Sequence, residues 1–224
     1  IAIILSSSFG LYTWMNNPES QMVAVTVRAG SKAEMALPDG TFVHLNAATN
    51  LEYDVNNSKQ RLVKLSGEAF FDVAKNPDCP FKVIINDLQI EVVGTSFNVK
   101  TYKKDIVETS LLSGRIRISG GSLPHEYTLS PGQKATYSAM DRTLRISKAD
   151  AHVEAGWRDN YLIFESTPLI DVIAQIERWY GVEIRLHHKQ IAQDLLSGSF
   201  RNESIQNVIR SLSIQYGFKY EIHK

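Results

Sequence analysis

The sequence predicts a mainly β N-terminal domain, a curled β-roll or solenoid-like sheet, followed by a small α+β C-terminal domain of two β-α-β repeats. Three observations carry this reading. Residues 22–150 hold short runs in which apolar and polar side chains alternate, such as Val23, Val25, Val27 and Phe81, Val83, Ile85, the period-two pattern of half-buried strands. Turn formers separate the runs: Pro38-Asp39-Gly40, Asn56-Asn57-Ser58, Gly120-Gly121 and Ser130-Pro131-Gly132, each suited to a tight turn. No stretch between 22 and 150 has a helical period, whereas residues 155–224 carry one twice.

The chain of 224 residues opens with 15 that bear no charge, IAIILSSSFGLYTWM. At about 1.5 Å per residue they span about 22 Å, less than the ~20 residues of a full membrane span. They read as the end of a truncated transmembrane helix, with Tyr12 and Trp14 at the interface, in preference to the apolar core of a signal peptide or an apolar strand packed into the domain. The first basic residue is Arg28, and a flank without Lys or Arg is the non-cytoplasmic one. Residues 16–21 form a polar linker, and 22–150 the β-domain.

Inside that domain an apolar residue followed by Gly and a new alternating run recurs. Leu65-Ser66-Gly67 leads to Phe71 and Val73, Val93-Gly94 to Phe97 and Val99, and Leu112-Ser113-Gly114 to Ile116 and Ile118. Gly permits a sharp bend where a strand turns a corner. A β-sandwich would give the same pattern, and spacing alone does not separate it from a roll.

In residues 155–224, setting Phe164 on Phe200 aligns Leu169 with Ile205, Val172 with Val208, Ile173 with Ile209, Ile176 with Leu212, Tyr180 with Tyr216 and Gly181 with Gly217. The apolar positions at i, i+3, i+4 and i+7 predict a helix lying on a sheet in each copy. Thr167, before Pro168, and Asn202 are the predicted N-caps, and Gly181 and Gly217 the left-handed C-caps. Strands are predicted over Leu195–Phe200, Val182–Leu186 and Phe218–Ile222. Trp157, at the domain entry, is read as an anchor buried between domains.

Charge excludes several functions. Lys and Arg total 24, Asp and Glu 24, and residues 155–224 hold 8 of each sign. Neither part has the basic excess that nucleic acid requires. The single cysteine, Cys79, precludes an internal disulfide and any multi-cysteine metal site, and its turn-rich surroundings supply no activating base. The six histidines form no HExxH; His187 and His188 are read as a solvated strand end. Nucleophile elbow, Walker A and GxGxxG motifs are absent. Glu68 and Asp72, four apart on a strand, would stand about 13 Å apart, beyond the ~9.5 Å limit for a glycosidase pair, and are read as turn and edge charges. No catalytic residue, cofactor site or metal site is predicted. A binding surface remains: an open sheet edge takes a partner strand through main-chain hydrogen bonds. The candidate edges are Leu195, Leu196, Ser197, Gly198, Ser199 and Phe200, and Phe218, Lys219, Tyr220, Glu221 and Ile222. A non-catalytic carbohydrate- or surface-binding β-module is the alternative, disfavoured because the 9% aromatic residues lie mostly at alternating core positions.

Five segments in order resemble the FecR family of transmembrane sigma-factor regulators. They are Leu37-Pro38-Asp39-Gly40-Thr41 running on to Ala47, Leu65 to Val73, Val92 to Val99, Leu111 to Gly114, and Leu129 to Gln133. The C-terminal repeat is similar to the signalling domain of TonB-dependent outer-membrane transducers. The resemblance implies an inner-membrane, single-pass anti-sigma protein with the chain after about residue 16 in the periplasm. The implied partner is the signalling domain of such a transducer, and the membrane is met through the N-terminal helix. It further implies that contact with an extracytoplasmic-function sigma factor belongs to a cytoplasmic segment outside this sequence.

Overall fold

The structure, a computed structural model, describes residues 21–55, 61–186 and 189–220. The proposed membrane segment, the Asn56-Asn57-Ser58 turn, His187 and His188 lie outside them. Fourteen strands build the N-terminal domain. The first seven are β1 (Met22–Val27), β2 (Ala33–Ala36), β3 (Phe42–Leu45), β4 (Thr49–Asp54), β5 (Arg61–Ser66), β6 (Glu68–Asp72) and β7 (Phe81–Ile85). The next seven are β8 (Leu88–Val92), β9 (Ser96–Lys100), β10 (Ile106–Ser113), β11 (Ile116–Gly120), β12 (Tyr127–Leu129), β13 (Gln133–Ser138) and β14 (Thr143–Lys148). Sheet I has the order β1-β4-β5-β7-β8-β11-β12 and sheet II the order β14-β13-β10-β9-β6-β3-β2. Phe81, Val83, Ile90 and Ile116 of sheet I meet Val43, Phe71, Phe97 and Leu111 of sheet II in one core.

The alternating runs therefore lie where the sequence predicts strands, and the arrangement is sandwich-like and open. The predicted glycine corners are the places where the chain changes sheet: Gly67 between β5 and β6, Gly94 between β8 and β9, and Gly114 between β10 and β11. At Gly67 φ is +112°, and a Cβ would stand 2.6 Å from Thr49 Cα. At Gly114 φ is +91°, and a Cβ would stand 2.8 Å from Gly94 O. One crossing thus packs backbone to backbone on another, which no side chain permits.

The parallel pair β5–β7 needs a crossover through sheet II, and Arg61 holds it. Its guanidinium, buried to 5% exposure, donates to the carbonyls of Cys79, Ala74 and Asn76 and to the Asp39 carboxylate. Asp39 also accepts from the Thr41 amide and hydroxyl, so its role extends past its own turn.

A short helix α1 (Ala151–Ala155) and a 3-10 turn (Gly156–Asp159) lead to the C-terminal domain. This consists of β15 (Tyr161–Pro168), helix α2 (Leu169–Tyr180), a 3-10 turn (Lys189–Gln193), β16 (Leu195–Arg201) and helix α3 (Ile205–Tyr216). Both copies of the repeat bury equivalent positions, Val172 with Val208 and Ile176 with Leu212, and Gly181 and Gly217 are left-handed C-caps at φ 67° and 69°. The caps at the other ends differ from expectation. Thr167 lies within β15 and its hydroxyl serves Glu165, so Pro168 opens α2 without a side-chain cap. Ser204 caps α3 by accepting from Asn207 N, while Asn202 takes a left-handed turn at φ 51°.

The closing strands of the two repeats are not formed in the described residues. Segment 182–186 has no ladder, because the Ile184 amide donates to the Glu177 carboxylate. Residues Phe218, Lys219 and Tyr220 are likewise irregular, with the Phe218 carbonyl taken by the Ser213 hydroxyl. Glu221 and Ile222 lie outside the described residues.

Gly67→Ala should therefore cost about 3 kcal/mol or more, combining left-handed strain with a backbone clash. Gly132→Ala, also at positive φ but with no atom within 4 Å of its Cβ position, should cost only about 1 kcal/mol. Urea unfolding of both variants measures the difference.

Candidate functional site

Two features outside the core present polar groups in an organised way: the seam between the domains, and the free edge of the C-terminal hairpin.

The seam forms because β6 and β9 are buried on both faces. Phe71 and Phe97 point into the sandwich, while Glu68, Phe70 and Asn98 point out beneath α1, its 3-10 turn and α2. Glu68 is only 6% exposed, which corrects its reading as a turn or edge charge. Asp72 does stay at the surface, accepting from the Ser96 hydroxyl. A buried carboxylate must be matched by donors. Asn46 Nδ2 donates to Glu68 Oε2 at 2.7 Å and Asn98 Nδ2 to Oε1 at 3.0 Å. Asn98 Oδ1 in turn accepts from Trp157 Nε1 at 3.1 Å, so one amide links the carboxylate to the indole. Trp157, 5% exposed, packs with Phe70 and Ala155, the interdomain anchor expected of it.

Cations close the seam from the other side. Lys32 Nζ donates to Trp157 O at 2.6 Å and Asn160 Oδ1 at 3.0 Å, and lies 3.6 Å from the Trp179 ring centroid. Burial lowers the Lys32 pKa to about 8, against the opposing pull of the Glu68 charge. Arg178 stacks on Tyr102 at 4.1 Å. Burial lowers the Arg178 pKa too, with Tyr102 and Glu68 acting the other way. Burial raises that of Tyr102, as does Glu68. At the rim Lys103 pairs with Asp171 at 2.6 Å, and Gly30 N donates to Arg178 O at 2.8 Å. The small pocket left between Glu68, Tyr102, Gln175 and Arg178 suits solvent rather than a substrate. Among the described residues no group of His, Cys, Asp and Glu could hold a metal ion. His44 instead faces Glu34 at 3.1 Å and packs edge-on to Phe42 and Phe70.

The second feature is β16. It pairs antiparallel with β15 as a two-stranded sheet, so among the described residues its other edge carries no strand. The bonds Asn202 N to Asn160 O and Leu169 N to Asp194 O fix the alternation of the ladder. Residues 196, 198 and 200 address β15, and the main-chain groups of Leu195, Ser197, Ser199 and Arg201 point outward. Of the outward carbonyls, that of Leu195 accepts from the Tyr216 hydroxyl at 3.1 Å. Leu195 is 60% exposed and Leu196 2%, as two-faced packing on the helices demands. The structure thus places the predicted residues Leu195 to Phe200 on a free edge, and does not bring the 218–220 segment into a ladder beside them.

Two outcomes follow for the seam. Trp157→Phe strands the buried Asn98 Oδ1 without its donor and should lower unfolding free energy by about 1–3 kcal/mol, read by denaturant titration. In Lys32 the folded pKa of about 8 lies below the ordinary lysine value of 10.5, so the unfolded chain holds more protons between those values. Stability contributed at this site therefore rises as pH goes from about 8 to 10.5. The melting temperature of the wild type should climb relative to Lys32→Met over that window, and a constant difference would contradict it.

Comparison with known proteins agrees with this architecture. Residues 23–117 match the family described as FecR protein, and residues 161–224 match FecR, C-terminal. Two crystal structures of a protein described as an anti-sigma factor from Parabacteroides distasonis superpose closely. One has a TM-score of 0.81 at 30% identity, covering 90% of this chain and 95% of that one. The other has a TM-score of 0.82 at 30% identity, covering 91% and 96%. No curated protein sequence matches. The fold, both family matches and the likeness to these structures over about nine-tenths of the chain agree: the chain belongs to the FecR family of anti-sigma factors.

Proposed function

We propose that this anti-sigma regulator is the periplasmic sensing part of an inner-membrane relay, and that its C-terminal domain docks the signalling domain of a TonB-dependent transducer by strand addition to β16. The uncharged segment 1–15 fits a membrane anchor preceding the β-domain. Among the described residues no helix is long and apolar enough to cross a membrane, and that segment lies outside them. The observation that carries the proposal is the edge of β16, which among the described residues is open in a sheet of two strands, since such a sheet is marginal alone and gains from a third. A second fact favours the same domain. Residues 161–220 hold five of the ten large apolar side chains found exposed, Ile170, Val182, Leu195, Ile214 and Tyr220, in less than a third of the described residues. Loading of the transporter would then act by changing which docked state is favoured, because only differential binding transmits a signal.

Ser199→Pro is the direct test. The substitution removes an outward N–H without breaking the β15 ladder, and an edge strand accepts Pro. Titration calorimetry against the signalling domain should show binding weakened about tenfold or more. Undiminished affinity would exclude strand addition at this edge.

A further inference from the structure

The turn between β1 and β2 is gripped by the other domain. Gly30 N donates to Arg178 O at 2.8 Å, one of the last four carbonyls of α2, which the helix itself cannot satisfy. Gly30 and Gly181 both lie at positive φ and their main chains touch: a Cβ on Gly30 would stand 3.2 Å from Tyr180 O, and one on Gly181 3.1 Å from Ala29 O. Lys32, at the end of the same turn, donates to Trp157 O and Asn160 Oδ1. Within its own domain the turn is closed by Ser31 N donating to Arg28 O at 3.2 Å.

The strand that runs into this turn is one the sandwich can spare. Strand β1 pairs with β4 alone, at the edge of sheet I. Of its six residues only Val27, next to the turn, is fully buried. The other β-domain residues that build the seam, Asn46, Glu68, Asn98 and Tyr102, lie on or beside β3, β6 and β9, each paired on both sides. Those strands cannot leave without opening the sandwich. Strand β2, across the turn, is also at an edge, but it continues into buried Leu37, whose amide donates to Thr41 O in the tight turn to β3. We propose that contact with the C-terminal domain holds β1 in sheet I, and that separation of the domains releases this strand.

Domain contact and strand pairing are then linked equilibria, each favouring the other to the same extent. The bonds from Gly30 and Lys32 are few, so the coupling is of the size that a single substitution reads. Strand β1 is also where residues 1–20 join the β-domain. The coupling rests on contacts inside this chain and not on the relay reading. On that reading, a partner that draws the C-terminal domain off the seam would loosen the strand that follows the N-terminal segment.

Amide hydrogen exchange followed by NMR on the whole chain tests this without any partner. Val55 N donates to Gln21 O, so the alternation of the ladder puts the amides of Val23, Val25 and Val27 in bonds to β4. Gly181→Ala drives a methyl group against the turn, and Lys32→Met removes the donor to Trp157 O and Asn160. In each variant the protection of these three amides should fall about tenfold. It should fall by clearly more than that of Ile90 in β8, a strand paired on both sides, whose exchange reports opening of the whole sandwich. Circular dichroism melts confirm folding, and Lys32→Met carries the test if Gly181→Ala does not fold. Unchanged protection at β1, or an equal fall at β1 and Ile90, overturns the inference. Transducer binding is read by calorimetry and not by this exchange, so failure of the relay and failure of the coupling are told apart.

Discussion

The arrangement of the two domains rests on one buried carboxylate. Glu68 sits on the outer face of sheet II, only 6% exposed, and so it must have donors. Asn46 and Asn98 supply them, and each is tied in turn to something else. Asn46 Oδ1 takes the Ala47 amide at the crossing between β3 and β4, and Asn98 Oδ1 takes the Trp157 indole. A group that costs several kcal/mol to leave unpaired thereby fixes where the linker lies. An apolar residue at position 68 could pack as well, but it would leave the linker free to slide. Buried polar groups of this kind contribute to specificity of arrangement as well as to stability.

Helix α2 links that constraint to β16. Its period of 3.6 residues puts Asp171, Gln175 and Arg178 on one side and Leu169, Val172, Ile173 and Ile176 on the other. The first set faces the β-domain through Lys103, the Glu68 pocket and Tyr102. The second forms the C-terminal core with Leu162, Phe164 and Leu196 of the hairpin. Leu196 of β16 shares this core with α2, so the hairpin and the seam are joined through one helix. The seam itself is closed by cation–π contacts and a half-buried lysine rather than by a broad apolar surface. Such contacts are directional, so they favour a defined docking angle more than raw adhesion.

Much of this was legible in the residues. Alternation placed the strands, and the three Leu-Ser-Gly or Val-Gly corners marked the sheet changes because backbone crossing demands Gly. The 36-residue repeat located both helices and both C-caps. Alternation failed at β6 and β9, where it assumes that one face is wet. Ala69-Phe70-Phe71 is an uninterrupted apolar run, the signature of a strand covered on both sides, and that run was the signal that Glu68 is buried. The Asn98 and Lys32 roles had no local signal, since their partners are 30 or more residues away. The closing strands predicted over 182–186 and 218–222 rest on the internal repeat, which is silent on whether a ladder partner exists, and residues 221 and 222 lie outside the described ones. In the structure, side chains of the preceding helices take the main-chain groups first.

The repeat also explains why the free edge is on β16. Each half presents a Tyr at the end of its helix, and each hydroxyl donates to a backbone carbonyl of the hairpin region: Tyr180 to Glu203 O and Tyr216 to Leu195 O. The two halves are equivalent in their cores but not in their surroundings. The α2 side is occupied by the β-domain, and β15 is entered directly from the Trp157 anchor and carries a bulge opposite Ser197. Among the described residues the α3 side has no such cover, and its helix exposes Ile214 at 76%. Packing one half of a symmetric domain against the sandwich therefore leaves the other half, with β16, facing away from it among the described residues.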